Sequence, residues 1–225
     1  MKQALILFTR VPQPGKTKTR LLGLLTAEAC AGAHAAFLQD QAEACRDPSR
    51  WELLIFYGGE GPVSVLRQLL PEQDRFFPQE GSGIGEKMDR AIRRTLAMGY
   101  ERCVLVGADL PELSRERSAE AFSMLLRKDI VLGPTPDGGY YLIGTGKPCP
   151  ELFEGQRYGG STVLESTEAA ARMAGLQTGR LPELCDVDEP EDLHALADRL
   201  ARQSVETCSH TRAFLRQLGE GKGTL

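Results

Sequence analysis

The sequence predicts an α/β domain built on a mainly parallel sheet with helices on both faces. Three observations carry this reading. Ala4 to Phe8 is a continuous apolar run, and 51–57, 102–108 and 129–133 are strand-length segments dominated by apolar residues, as strands buried on both faces are. Helical stretches alternate with these runs through the first two-thirds of the chain. "DIVLG" and "YYLIG" are joined too tightly for a crossover helix, so one strand runs antiparallel in a mixed sheet.

The first strand is Ala4 to Phe8, followed by a Pro/Gly loop. Thr26 then caps an alanine-rich helix reaching about Cys45. A second strand, Trp51 to Tyr57, ends at Gly58-Gly59, and a short helix covers Val63 to Leu70. "RFFPQ" reads as a third, short strand. From Gly85 to Met98, Met88, Ala91, Ile92, Thr95 and Leu96 share one helical stripe. Arg102 to Ala108 is the next strand and runs into Asp109-Leu110-Pro111.

A helix centred on Ala119 to Leu126 leads to strand Asp129 to Gly133, a turn, and strand Tyr140 to Ile143. Ser161 or Thr162 opens a helix to about Met173. In "DVDEPEDL", Asp188 reads as an N-cap, with Pro190 early in the helix and Glu191 three residues after the cap. A last helix spans Ser204 to Leu218, before a Gly-rich tail, Gly219 to Leu225, expected to fray. No repeat, low-complexity linker or boundary appears. The expectation is one domain over 1–203, with 204–225 a C-terminal helix and tail packed on it.

Composition narrows the partners. The 225 residues carry 27 basic and 31 acidic side chains, a near balance that steers the chain toward neither nucleic acid nor an anionic membrane. No window approaches a membrane span, and the first apolar run is too short for a signal-peptide core, so the expected location is the cytoplasm. The six cysteines are scattered with no CxxC pair, unlike a zinc site or a disulfide framework. The three histidines, His34, His194 and His210, have no partner motif and read as packing or helix-surface residues.

Anion binding must therefore come from a local cluster, and "LFTRVPQPGKTKTRLL" supplies one. Arg10, Lys16, Lys18 and Arg20 place four cations in eleven residues directly after the first strand. Gly15-Lys16-Thr17 copies the end of a P-loop. The first P-loop glycine would fall on residue 10, which is Arg10, and Pro12 and Pro14 remove N–H donors that a phosphate nest uses. What remains is a side-chain grip for a di- or triphosphate beyond the carboxyl end of a strand, weighed against a solvated basic turn.

Asp109 follows a buried strand and should reach the same edge. It reads as a divalent-metal ligand or as a turn residue. Gly107 and Pro111 flank it, so a second acid must come from elsewhere. Asp186 and Asp188 are the candidates, against a reading in which the acids only cap and solvate a helix start. In "PTPDGGYYLIG", Asp137 either binds a sugar hydroxyl or acts as a base, or simply makes a hairpin turn. Gly138 and Gly139 permit a close backbone approach. "QEGSGIGEKM" is a glycine-spaced entry to a helix suited to hydroxyl or phosphate contacts.

In that order, "FTRVPQPGKTKTRL", "QEGSGIGEKM", "VGADLPEL", "LGPTPDGGYYLIG" and "DVDEPEDL" resemble the DUF2064 family of the nucleotide-diphospho-sugar transferase superfamily. The layout is similar also to 2-phospho-lactate guanylyltransferases and, more distantly, molybdenum cofactor guanylyltransferases. The resemblance spans about residues 2–200. It implies a three-layer α/β/α, Rossmann-like GT-A fold with a nucleotide across the carboxyl edge of the sheet.

Carried onto this chain, the resemblance implies phosphate or nucleotide contacts from Thr9, Arg10, Lys16, Lys18, Arg20, Gln79 and Gly85. It implies Mg²⁺ or Mn²⁺ on Asp109, Asp186 and Asp188. Sugar or acceptor contacts would come from Asp137, Gly138, Gly139, Tyr140, Ser161 and Thr162, although "YGGSTV" carries a Gly pair that the family pattern lacks. The expected chemistry is glycosyl transfer from a nucleoside-diphosphate sugar to a small acceptor, with Asp109, Asp137 and Asp186 as catalytic groups. Nucleotidyl transfer from an NTP with pyrophosphate release, and nucleotide binding without catalysis, are the alternatives. Oligomeric state, base, sugar and acceptor are not specified by these motifs.

Overall fold

The computed structural model describes residues 2–203 and 207–220. Its sheet contains β1 (Gln3–Arg10), β2 (Glu52–Gly58), β3 (Phe76–Pro78), β4 (Arg102–Gly107), β5 (Ile130–Pro134), β6 (Tyr140–Thr145) and β7 (Thr178–Arg180). The order across the sheet is β3-β2-β1-β4-β6-β5-β7. β6 is antiparallel to both of its neighbours, and every other pairing is parallel. The tight "DIVLG"–"YYLIG" connection forces that reversal, because a parallel return would need a crossover.

Helices α1 (Ala27–Ala44), α2 (Val63–Leu69), α3 (Ile84–Ala97), α4 (Arg115–Met124), α5 (Val163–Met173), α6 (Pro190–Arg202) and α7 (Ser209–Glu220) complete the chain. Strand alternation sorts the layers. Leu5 and Leu7 of β1 pack with Leu38 of α1, Leu66 of α2 and Phe122 of α4. Ala4, Ile6 and Phe8 face the opposite layer, with Met88 and Ile92 of α3 and Leu164 of α5. A third cluster joins α1 to α6 and α7 through Phe37, Leu196 and Phe214. At Gly32 of α1 a Cβ would stand 3.3 Å from the Phe214 ring, which would have to give by a few tenths of an ångström.

Two boundaries differ from the sequence reading. β7 is three polar residues at the sheet edge, paired with β5, and has no apolar run to announce it. The cap of α6 is Glu189 rather than Asp188. Asp192 closes a capping box by accepting from the Glu189 and Asp188 amides at 2.8 and 3.0 Å. The last helix is described from Ser209 and runs to Glu220, two residues beyond its expected end at Leu218, so the expected tail loses Gly219 and Glu220 to it. The expected start at Ser204 and the rest of the tail, 221–225, lie outside the described residues. The N-terminus of α7 is tied to α1, where Asp40 accepts from the His210 and Thr211 amides at 2.9 and 2.8 Å.

Five of the cysteines are buried thiols and Cys185 is exposed. Among the described residues no helix is long and apolar enough to cross a membrane.

Candidate nucleotide site

β1 and β4 are parallel neighbours, and the chain leaves β1 through α1 to reach β2 on the other side. This is the point where strand order reverses and where open α/β sheets form a crevice at their carboxyl ends. A cavity of about 810 Å³ opens there, with Arg10, Lys16, Lys18, Arg20, Asp109 and Asp188 among its walls. α1 braces the crevice from below. Gln41 donates to Gly107 O at 2.8 Å, and His34 Nε2 lies 3.1 Å from Thr9 Oγ1 and 3.2 Å from Arg10 O.

The basic loop is not a phosphate nest. The amides of Lys16 and Thr17 both point back to Gln13 O, at 3.1 and 3.2 Å. The buried Thr17 hydroxyl closes the turn, donating to Gln13 O at 3.0 Å and accepting from the Gln13 amide at 3.2 Å. Those two amides and that hydroxyl are therefore not available to an anion. Lys16 is exposed and reaches Glu60 at 3.8 Å; Arg20 reaches Asp188 at 3.8 Å and Glu189 at 3.4 Å. Arg10 and Lys87 also face the cavity, and neither forms a salt bridge among the described residues.

Lys18 behaves differently from its neighbours. Its backbone is left-handed, with φ 51° and ψ 40°, a costly conformation for a residue with a side chain. The side chain is 4% exposed, and its ammonium bridges Asp109 and Asp188, the latter at 2.9 Å. It also donates to Val187 O at 2.6 Å. Burial works against the charged Lys18, but Asp109 and Asp188 outweigh it and hold the ammonium above its usual range. Burial likewise opposes the Asp109 carboxylate, yet the Lys18 ammonium prevails and holds it below the ordinary value.

The off-by-one cap at α6 matters here. With Glu189 as cap, the Asp188 carboxylate is free to meet Lys18 and Arg20. Val187 N donates to Asp109 O at 3.0 Å, which joins the two acid-bearing segments. Asp186 precedes them on the same loop. Burial, then the charges of Asp188, Asp137 and Asp109, push its carboxyl up to about 6.

The structure brings Thr9, Arg10, Lys16, Lys18, Arg20, Gln79, Tyr140, Asp109 and Asp188 to one cavity. The other expected residues do not line it, and Asp186 stands beside it, two residues before Asp188 and within reach of the charges of Asp188, Asp137 and Asp109. Gln79 spends its amide on Thr9 O and Phe56 O, at 2.8 and 3.1 Å. Gly85 faces inward, where a Cβ would stand 3.0 Å from Phe153 O and press on the Tyr158 ring. Asp137 orders its own turn, accepting from Thr135 Oγ1 at 2.6 Å and Gly139 N at 3.0 Å. Gly138, at φ +85°, lies so close to Ser161 O that a Cβ would overlap it. The close approach predicted for this glycine is thus to the chain itself. Ser161 and Thr162 are exposed at the start of α5 and do not line the cavity.

Two contributors were not legible beforehand. His34 is fully inside, its Nδ1 3.8 Å from Asp109 Oδ1, and burial pushes the imidazole below its ordinary range, so it is neutral at pH 7. Its place at mid-helix, eight residues after the Thr26 cap, was compatible with either face. Lys87 sits one turn into α3, where the glycine-spaced entry "GSGIGEK" brings the helix start to the cavity.

A divalent cation on Asp109 and Asp188 would need oxygen ligands at about 2.0–2.1 Å from Mg²⁺. That position is taken by an ammonium whose three N–H bonds are committed to Asp109, Asp188 and Val187 O. The two carboxylates therefore do not form an open metal pair. Another set with metal-type ligands, Asp40, Glu43 and His210, lies within 4.8 Å of one another, but Asp40 is engaged in capping α7.

The family model DUF2064, described as an uncharacterized protein conserved in bacteria, matches residues 41–160. A candidate nucleotide-diphospho-sugar transferase of Desulfovibrio desulfuricans superposes with a TM-score of 0.89 at 33% identity, over 97% of this chain and 95% of that one. A cytidylyltransferase of Leptospira borgpetersenii shares the fold at TM-score 0.59 and 12% identity, over 98% and 94% of the two chains. A 4-diphosphocytidyl-2C-methyl-D-erythritol synthase of Anaerococcus prevotii does so at 0.60 and 11%, over 90% and 96%. No curated protein matches.

Proposed function

Because the chain belongs to the DUF2064 family and has the nucleotide-diphospho-sugar transferase fold, we propose that it binds a nucleoside-diphosphate sugar in the β1–β4 cavity and transfers the glycosyl group to a small acceptor. The observation that carries this reading is the convergence of Arg10, Arg20 and Lys87 on one cavity that also holds Asp109 and Asp188. Cations without buried partners, placed where the sheet opens, suit a diphosphate held by side chains. The relative at 33% identity supports a nucleotide-sugar donor.

In the reaction, the bond from the anomeric carbon to the diphosphate oxygen breaks, and its electron pair leaves with the nucleoside diphosphate. Arg10, Arg20 and Lys87 stabilise the charge that grows there. The acceptor hydroxyl bonds to the anomeric carbon and yields its proton to Asp186, whose raised value near 6 suits a base working close to neutral pH. Asp137, engaged in its own turn, positions the loop beside Asp186 rather than taking the proton.

Incubation with a panel of nucleoside-diphosphate sugars and, separately, NTPs tests the proposal. Release of nucleoside diphosphate from a sugar donor is the expected result. Pyrophosphate release from an NTP with no turnover of any sugar nucleotide would replace this reading with nucleotidyl transfer.

A further inference from the structure

The main cavity holds more acids than a phosphate site needs, and the way they are neutralised has a consequence for metal binding. Asp109 and Asp188 come from different segments, the end of β4 and the loop before α6, held together by the 3.0 Å bond from Val187 N to Asp109 O. Lys18 spans both carboxylates and also binds Val187 O, so every N–H of the ammonium has an oxygen partner. The Phe37 ring closes the wall behind it, 5.7 Å from the nitrogen.

The backbone is built for this contact. Lys18 lies in the left-handed region at φ 51°, which is unfavourable for a residue bearing a Cβ. A glycine would relieve that strain at once, yet a lysine stands there. Charge is balanced as well: two carboxylates, Asp109 and Asp188, meet Lys18 and, at 3.8 Å, Arg20. No uncompensated negative charge is left on this pair to draw a free divalent cation.

We propose that Lys18 is the resident cation of the Asp109–Asp188 pair, and that Lys18 and a divalent cation are alternative occupants of it. A metal arriving with a polyphosphate takes these carboxylates only when Lys18 leaves them, and the phosphates are the partner to which the freed ammonium turns. In the free protein the pair belongs to lysine. The inference concerns the same cavity as the proposed transfer but does not rest on it.

The test is a calorimetric titration of the full chain with Mn²⁺ in the absence of nucleotide. Wild type should bind more weakly than about 1 mM, and Lys18→Met should bind at least about tenfold more tightly. Adding Asp109→Asn to Lys18→Met should abolish that gain. Equal binding by wild type and a Lys18→Met variant shown to be folded by circular dichroism would overturn the proposal. Should Lys18→Met fail to fold, wild type and Asp109→Asn decide: Mn²⁺ binding by wild type weaker than about 1 mM is the expected result, and binding tighter than about 0.1 mM that Asp109→Asn abolishes would overturn the proposal. Because no substrate is present, failure here leaves the transferase reading untouched, and failure of that reading leaves this one standing.

Discussion

Lys18 and Asp109 form an ion pair that ties the loop after β1 to the end of β4, with the lysine almost wholly inside and the carboxylate open to the cavity at 39% exposure. The pair organises the crevice before any ligand arrives. It also makes Asp109 a determinant of stability as well as a candidate catalytic group.

Asp109→Asn should therefore destabilise the protein at pH 7 by about 1–2 kcal/mol, less than a fully buried pair because the carboxylate keeps solvent contact. The folded Asp109 sits below the ordinary carboxylate range. Its contribution is thus complete above the unfolded value of about 3.9 and is lost as pH falls through the folded value. Urea unfolding at pH 7 and at successively lower pH should show the gap between wild type and variant narrowing in acid.

Arg10→Ala and Lys87→Ala should each weaken nucleoside-diphosphate binding by about tenfold or more, the effect of one charge-assisted hydrogen bond, with little change in melting temperature. Lys16→Ala should do less, since Lys16 is exposed and shares its charge with Glu60. Isothermal titration with one nucleotide across the three variants reads the order directly.

Two glycines in the left-handed region separate local strain from collision. At Gly15, φ +71° with open space around the Cβ direction, alanine should cost about 1 kcal/mol. At Gly138 the same change drives a Cβ into Ser161 O and adds an overpacking cost of about 1–3 kcal/mol. Leu164 N donates to Gly138 O at 2.9 Å, so the start of α5 should shift with it. Denaturant melts of both variants provide the comparison.

Asp186 has a folded value of about 6, raised by burial and by neighbouring acids. Between the unfolded value of about 3.9 and that folded value, the native state binds more protons than the unfolded chain, so wild type loses stability as pH rises through this window. Asp186→Asn should be more stable than wild type at pH 7, and the advantage should vanish below about pH 4. The same variant should lose turnover and the acidic limb of the pH–rate profile, whereas a residue that only shapes the loop would leave that limb in place.

Much of the fold was legible because burial on both faces leaves a plain mark. The runs Ala4 to Phe8, Cys103 to Ala108 and Ile130 to Gly133 are apolar at every position, and the structure uses both of their faces. β7 left no such mark, because the edge strand of Thr178, Gly179 and Arg180 has no apolar run and is held by main-chain pairing to β5 and by the Arg180–Glu168 ion pair. The cap at α6 could not be assigned from the string "DVDEPED", where three acids precede and two follow Pro190 and any of several registers satisfies the same rule.

In the site, the cationic loop and Asp109 were readable from their place after strands. The destination of Lys18 was not. Lysine after a strand suits a phosphate and a carboxylate equally, and only the fold brings Asp188 from 170 residues away to meet it. His34 escaped for a related reason: its partners, Thr9 and Arg10, belong to a different element.

The central claim is that the crevice between β1 and β4 receives a nucleoside-diphosphate sugar through cationic side chains. Calorimetric titration of wild type and the Arg10→Ala/Lys87→Ala double variant with a panel of nucleoside-diphosphate sugars tests it most directly. At least one donor should bind wild type and be lost or weakened by about a hundredfold in a double variant that melts like wild type. A donor that binds both proteins with equal affinity would place the nucleotide outside this crevice and contradict the account.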